Sequence, residues 1–473
     1  MELTRRAALA LGGLVLLTGC APSPRLKPSP SAKPAKARSV SDLLSSESFY
    51  IAHRGSGDNW PEHTLTAYRS ALAAGADAVE VSVCATADGV LVCHHDTSAA
   101  RTLGVDRDIA DMTWAELREM RVDARSWLGA DTPLEPVSRV DEVLETLGDD
   151  VLVFIEDKQG TNTRALLDLM DAQPRSKSRF VWKQWAPAKQ VALVKEHGYH
   201  TWGYFFAEQM ERLDEFAGTF HALGVPTQLG DDDLSRVVAT GKPVICWEVH
   251  FHSEVVRLER SGVAGKMCSN IPYLRDARTS GADDFASGRR AAGDLPSGFD
   301  RLGWAAQPAL IPGRDALRMQ SGGPHSYLMG SLAKPGRSLA DAGVSISWPD
   351  TVPPAGTVGV VLALTSDEPG GQGERGQASG YELHIASDGR LQLRERIEGR
   401  SGRVLAEAPS NAPRAGEVIE VAVAMDPQRI QVQCGRANLE VIDERWRGPW
   451  IRLFKDYDSS LPVDFSGVSA TLA

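Results

Sequence analysis

Apolar positions between Phe49 and Tyr273 follow two alternating rhythms. Short runs such as Tyr50-Ile51-Ala52, Ala78 to Cys84, Val151 to Glu156, Phe180 to Trp185, His200 to Phe205, Val244 to Val249 and Gly265 to Ser269 read as strands. Between them, apolar residues recur at helical spacing: Leu65, Tyr68 and Leu72, then Ala165 to Met170, Ala188 to Glu196, Met210 to Phe216, Leu234 to Ala239 and Glu254 to Arg260. Residues 97–135 are irregular apart from a short helix near Trp114 to Met120. Repeated strand-then-helix units predict an α/β fold, a TIM (β/α)8 barrel over residues 48–275. A doubly wound open sheet is the alternative, but no glycine-rich fingerprint follows the first strand.

The texture changes beyond the barrel. Residues 276–300 are rich in Gly, Ala, Ser, Asp and Arg and read as a linker. Over 301–473, Val344 to Trp348, Val358 to Leu364, Tyr381 to Ile385, Leu391 to Ile397, Ile419 to Val423 and Ile430 to Val432 alternate with period two. Many short strands and almost no helix predict an all-β sandwich. The pattern Gly380-Tyr381-Glu382-Leu383-His384-Ile385 followed by Asp388-Gly389-Arg390-Leu391-Gln392-Leu393 resembles concanavalin- or laminin-G-like jelly rolls. By analogy alone, such a domain binds a glycan. Asp456-Tyr457-Asp458 reads as a polar turn or a cation loop.

The first residues read as a targeting segment. Arg5-Arg6 precede an apolar run from Ala7 to Leu17, too short for a transmembrane helix. Leu17-Thr18-Gly19-Cys20 resembles a bacterial lipobox, which implies lipidation at Cys20, with residues 1–20 as signal peptide. An ordinary cleaved signal peptide is the other reading, and both imply export. Residues 21–47 carry Pro22, Pro24, Pro28, Pro30 and Pro34 among Ser, Ala and Lys, and read as an extended tether. The expected location is therefore the outer face of the cytoplasmic membrane or the cell envelope, held by a lipid.

The chain of 473 residues has 42% hydrophobic and 24% charged residues and a formal net charge of −11. No large basic stretch is present, which argues against a nucleic-acid partner. A small phosphate substrate needs only one or two local cations. Export permits disulfides. If Asp88-Gly89 is a two-residue hairpin turn, Cys84 faces Cys93 within bridging range and Ser82 faces His95.

Chemistry concentrates at strand ends, where parallel barrels keep their active sites. His53 and Arg54 follow the first strand. Glu80 and Ser82 share one strand face, as do Glu156 and Lys158. Taken singly, each has a plain structural reading: His53 as a structural histidine, Glu80 and Glu156 as surface carboxylates, Lys158 as a salt-bridge partner, Trp247 as core. His94, His250, His252 and Asp157 are read as structural or surface residues.

The ordered motifs His53-Arg54-Gly55, Pro61-Glu62-His63-Thr64, Glu80-Val81-Ser82, Thr86-Ala87-Asp88-Gly89, His95-Asp96, Glu156-Asp157-Lys158 and Trp247 resemble the glycerophosphodiester phosphodiesterases. That resemblance covers residues 49–274. It implies hydrolysis of glycerophosphodiesters to glycerol 3-phosphate and an alcohol. It implies His53 and His95 as the general acid–base pair, and Arg54, Lys158 and Trp247 as substrate-binding residues. It implies Glu62, Glu80 and Glu156 as ligands of one divalent cation, Mg²⁺ or Ca²⁺. The glycerol 2-hydroxyl would be the internal nucleophile, giving a cyclic phosphate.

Two positions depart from the family's pattern. Glu-x-Asp is Glu80-Val81-Ser82, and Pro-Glu-Asn-Thr is Pro61-Glu62-His63-Thr64. A neutral hydroxyl at position 82 is a poorer ligand than a carboxylate and should weaken metal affinity. Ser269-Asn270-Ile271-Pro272 stands where many members have Thr-Asp-x-Pro, and this departure resembles the related sphingomyelinase D-like phospholipases, whose early motifs fit less well. Two other functions therefore compete with the first: such a phospholipase, and a non-enzymatic envelope-binding lipoprotein with a degraded metal site.

Overall fold

The computed structural model describes residues 39–129, 131–275, 295–296, 308–311, 314, 316–368 and 378–473. Cys20, the signal segment and most of the tether and linker lie outside the described residues.

Eight parallel strands close on themselves. They are β1 (Phe49–Ala52), β2 (Ala78–Ala85), β4 (Leu152–Asp157), β5 (Phe180–Trp185), β6 (His200–Tyr204), β7 (Ala222–Pro226), β8 (Val244–Val249) and β9 (Gly265–Cys268). Neighbours pair in the order β1, β9, β8, β7, β6, β5, β4, β2, and β1 pairs with β2 to close the barrel. β3 (Leu91–Cys93) returns antiparallel to β2 outside the ring. The TIM barrel expected from the sequence is thus the fold.

Because side chains alternate along a strand, every second residue points inward. Phe49, Ile51, Ala78, Leu152, Phe154, Val181, Trp202, Ala222, Ile245 and Met267 form one buried apolar cluster. Val40, Leu43 and Leu44 join it from a short helix whose Ser39 cap bonds Asp42. The outer faces of the strands carry Val79, Val81, Val153, Ile155 and Leu223, which pack with helix residues such as Leu166, Leu167, Phe216 and Leu258. One more step along the inward rows, apolar residues give way to polar ones. Ile51 leads to His53, Ala78 to Glu80 and Ser82, Phe154 to Glu156, Val181 to Lys183, Trp202 to Tyr204, Ile245 to Trp247 and Met267 to Ser269. That change of texture positions the site.

The hairpin after β2 is one residue longer than expected. Thr86 N–H donates to Val90 O at 3.0 Å and Gly89 N–H to Thr86 O at 2.9 Å, leaving Ala87-Asp88-Gly89 as the loop. Gly89 takes φ +81, which glycine adopts without strain. The register therefore slips by one: Cys84 pairs with Val92, and Val83 with Cys93. A one-residue slip puts side chains on opposite faces. Cys84 and Cys93 pack in different apolar clusters as buried free thiols, so no bridge joins them. Ser82 lies beside His94, whose N–H donates to Ser82 O, and not opposite His95.

The C-terminal region is a β-sandwich of two seven-stranded sheets. A single apolar cluster fills the space between them, with Trp348, Tyr327, Tyr381, Leu453 and Phe465 among its largest members. Leu295–Pro296, within the segment read as linker, pairs with Tyr327 and Leu328 at one sheet edge. The sandwich meets the barrel through buried Asp367. Its carboxylate accepts from the His252 and Ser253 N–H groups, at the start of the helix His252–Arg260, and from Tyr273 Oη. Tyr273 Oη in turn accepts from Trp450 Nε1 at 2.8 Å.

Candidate active site

His53 ends the first inward row, and its backbone turns at once. Arg54 has φ 53 and Gly55 φ +83. A Cβ on Gly55 would stand 2.8 Å from Ala67 Cβ, so only glycine fits where the turn meets the next helix. The tight turn aims the Arg54 N–H at Glu80 Oε2, 2.9 Å away. His-Arg-Gly is thereby a structural unit as well as a chemical one.

His53 is buried, with Nδ1 3.0 Å from Ser269 Oγ and 3.5 Å from Glu248 Oε1. Burial, with Arg54 beside it, pulls its pKa down to about 3 against the opposing charge of Glu248. At neutral pH it is an uncharged base. His95 is half-buried, and its Nδ1 sits 2.6 Å from Asp96 Oδ1. Burial takes its pKa down to about 4, although the Asp96 hydrogen bond favours the charged form. The Arg54 and Lys158 charges bear on His95, and the Arg54 charge also bears on His53.

Arg54 Nη1 donates to Glu62 Oε2 at 3.2 Å. Arg101 grips the same carboxylate with two hydrogen bonds of 2.9 and 2.6 Å and reaches Asp96 Oδ2 through Nε. Burial opposes ionisation of Glu62, but the two guanidinium groups hold its carboxyl far below the usual range.

Deeper in the mouth, Lys183 from β5 lies between two carboxylates. Its Nζ donates to Glu80 Oε1 at 2.8 Å and to Glu156 Oε2 at 2.9 Å. Ser82 Oγ donates to Glu80 Oε1 at 2.9 Å. Glu156 accepts from Tyr204 Oη at 2.7 Å and from Lys158 Nζ at 3.3 Å. Burial would favour neutral carboxyls at Glu80 and Glu156, but the lysine charges outweigh it and hold both low. The same ion pairs raise the Lys183 pKa against burial.

The residues expected as metal ligands do not fit a shared divalent cation. Glu62 is occupied by Arg54 and Arg101, while Glu80 and Glu156 close around the Lys183 ammonium. Ser82 serves Glu80 as a hydrogen-bond donor. Among the described residues, no group of three or more His, Cys, Asp or Glu side chains is arranged to hold a metal ion.

Trp247, expected to bind substrate, is partly buried in an aromatic group, with ring centroids 5.3 Å from Tyr204, 5.8 Å from Phe206 and 6.0 Å from Trp202. A small cleft is lined by His53, Arg54, Asp58, Glu62, Trp127, Glu248 and Ser269. Sequence reasoning missed Asp58, Glu248, Ser269 and Lys183. It set His250 aside as structural, yet His250 Nδ1 lies 2.5 Å from Asp58 Oδ2 and its Nε2 3.4 Å from Glu248 Oε2. Burial opposes charge on that imidazole, but the two carboxylates raise its pKa. The missed signal was alternation: Lys183 and Ser269 each stand two residues beyond an inward apolar position.

The sequence model of the glycerophosphoryl diester phosphodiesterase family matches residues 53–270. That match spans nearly the whole barrel, from the end of β1 through β9, and over that length the barrel is similar to the family. A glycerophosphodiester phosphodiesterase of Caldanaerobacter subterraneus is 40% identical over 111 residues, 23% of this chain and 45% of its own length. One of Bacillus subtilis is 32% identical over 134 residues, 26% of this chain and again 45% of its own. The chain thus spans less than half the length of these relatives. A solved Oleispira antarctica phosphodiesterase, in complex with the product sn-glycerol-3-phosphate, is 22% identical and covers 48% of this chain and 96% of its own, with a TM-score of 0.42.

Proposed function

We propose that the barrel hydrolyses glycerophosphodiesters to glycerol 3-phosphate and an alcohol. The observation that carries this reading is the chain of contacts that starts at Arg54, beside His53 in one cleft, and runs through Glu62, Arg101 and Asp96 to His95.

In this reading, Arg54 and Lys158 hold the phosphodiester oxygens by charge-assisted hydrogen bonds. Neutral His53, oriented through Nδ1 by Ser269, takes the proton of the glycerol 2-hydroxyl as that oxygen attacks phosphorus. His95 acts from its imidazolium form, the minor one at neutral pH that the Asp96 hydrogen bond favours, and gives that proton to the departing alkoxide. A cyclic phosphate forms. Water then opens it with the two histidines in exchanged roles, returning both to their starting state. Trp127 lines the cleft beside His53 and Arg54, and Trp247 with its aromatic neighbours would meet the substrate beyond it.

Two further parts belong to the same proposal. The lipobox-like Leu17-Thr18-Gly19-Cys20 would anchor the exported chain to a membrane by lipid. The sandwich would bind an envelope glycan. A groove of about 620 Å³ on one sheet, lined by Gln431, Gln433, Asn438 and Glu440, offers hydrogen-bonding groups of the right kind. The test is release of glycerol 3-phosphate from a panel of glycerophosphodiesters, lost in His53→Ala. No release from any of them would refute the activity, and release of a cyclic phosphate alone would favour the phospholipase reading.

A further inference from the structure

We propose that Lys183 takes the seat of the divalent cation, so that the site works on a cation built into the chain. The inference rests on the phosphodiesterase reading for its catalytic meaning and on the structure for its geometry.

All four oxygens of the Glu80 and Glu156 carboxylates already have donors. Glu80 Oε1 accepts from Lys183 and Ser82, and Oε2 from the Arg54 N–H. Glu156 Oε1 accepts from Tyr204, and Oε2 from Lys183 and Lys158. An octahedral or larger oxygen shell around Mg²⁺ or Ca²⁺ would have to evict several of these donors. Lys183 is fixed as firmly as its partners. Its side chain is 8% exposed, and its ammonium lies 5.9 and 5.6 Å from the ring centroids of Trp202 and Tyr204.

The charge balance agrees. With Glu62 held by Arg54 and Arg101, the Glu-x-Asp pattern would set three carboxylates, Glu156 included, around a dication, for a net charge of minus one. Two carboxylates around one ammonium carry the same. The serine at 82 and the lysine at 183 are therefore one compensated exchange. Ser82 removes the carboxylate that an ammonium cannot balance, and its hydroxyl fills the space with a donor to Glu80. Lys183 acts through Glu80, which fixes the Arg54 backbone, and is a positioning residue.

The experiment is calorimetric titration of the full chain with Mg²⁺ and with Ca²⁺, set beside turnover with and without chelator. The wild type should take up neither ion at millimolar concentration, and chelation should leave its turnover unchanged. Ser82→Asp/Lys183→Gln should bind one ion, gain thermal stability from it, and lose at least about tenfold of its turnover on chelation. Stoichiometric uptake by the wild type, or loss of its activity on chelation, overturns the proposal. A folded double variant that binds neither ion overturns it too. The wild-type titration decides the matter even if the double variant fails to fold, or if no glycerophosphodiester is turned over.

Discussion

The ammonium of Lys183 stands 2.8 Å from Glu80, a buried carboxylate on the strand two places round the barrel wall. Breaking a buried ion pair from one side leaves the other charge uncompensated, at a cost of about 3–5 kcal/mol. Lys183→Met should therefore destabilise the barrel by that order, because Glu80 and Glu156 both lose their shared ammonium. Urea denaturation checks it. A loss below about 1 kcal/mol would mean that water or another cation takes over the role of the lysine.

The two histidines should matter to turnover and little to folding. General acid–base catalysis contributes about 10²–10⁴-fold. His53→Ala and His95→Ala should each lower kcat within that range, with unchanged circular dichroism. Ser269→Ala removes only the group that orients His53 and should cost less, on the order of tenfold. Equal losses in all three would show that Ser269 does more than orient.

Much of this was legible beforehand. Phe180 to Trp185 reads plainly as a buried strand, and placing Lys183 on the same face as Val181 required only period two. What hides it is chemical: lysine is almost never fully buried unless it is paired, and its carboxylate partners lie on other strands. Glu248 and Ser269 were hidden for a different reason. Alternation turns Ser269 inward, but that it and Glu248 meet His53 follows from ring closure, which sets β9 beside β1 and β8 beside β9, a long-range contact that no local pattern records. The hairpin failed on a single residue: Asp88-Gly89 signals a turn, but whether two or three residues make the loop depends on Thr86 bonding Val90. That one-residue difference moved Cys93 to the opposite face and His95 away from Ser82.

Acid should unfold this protein early. His53 and His95 stay neutral in the fold down to about 3 and about 4, whereas unfolded they take up protons near 6.5. His63 and His94 are lowered in the same direction. The unfolded state binds more protons in that window. Stability is therefore full above about pH 6.5 and falls as pH drops, by up to about 1.4 kcal/mol per unit for each such histidine. His250, raised, does the reverse, but its contribution is already complete below its unfolded value, so it does not offset the loss. Urea midpoints at pH 7 and pH 5 would show a marked fall, and equal midpoints would contradict the assignment.

Asp367 ties the sandwich to the helix that begins two residues after His250. Asp367→Ala leaves the His252 and Ser253 N–H groups and Tyr273 Oη without their acceptor. The expected cost is about 2–3 kcal/mol. Because that helix carries the approach to Glu248 and His250, kcat/KM should fall as well. Calorimetry with turnover checks both, and unchanged turnover would show that the two domains are mechanically independent.

The measurement that bears most directly on the whole account is glycerol 3-phosphate release from glycerophosphodiesters by the metal-stripped wild-type chain, with chelator and then with added Mg²⁺ or Ca²⁺. The account predicts release at the same rate in all three conditions. Release that appears only when metal is added would contradict it.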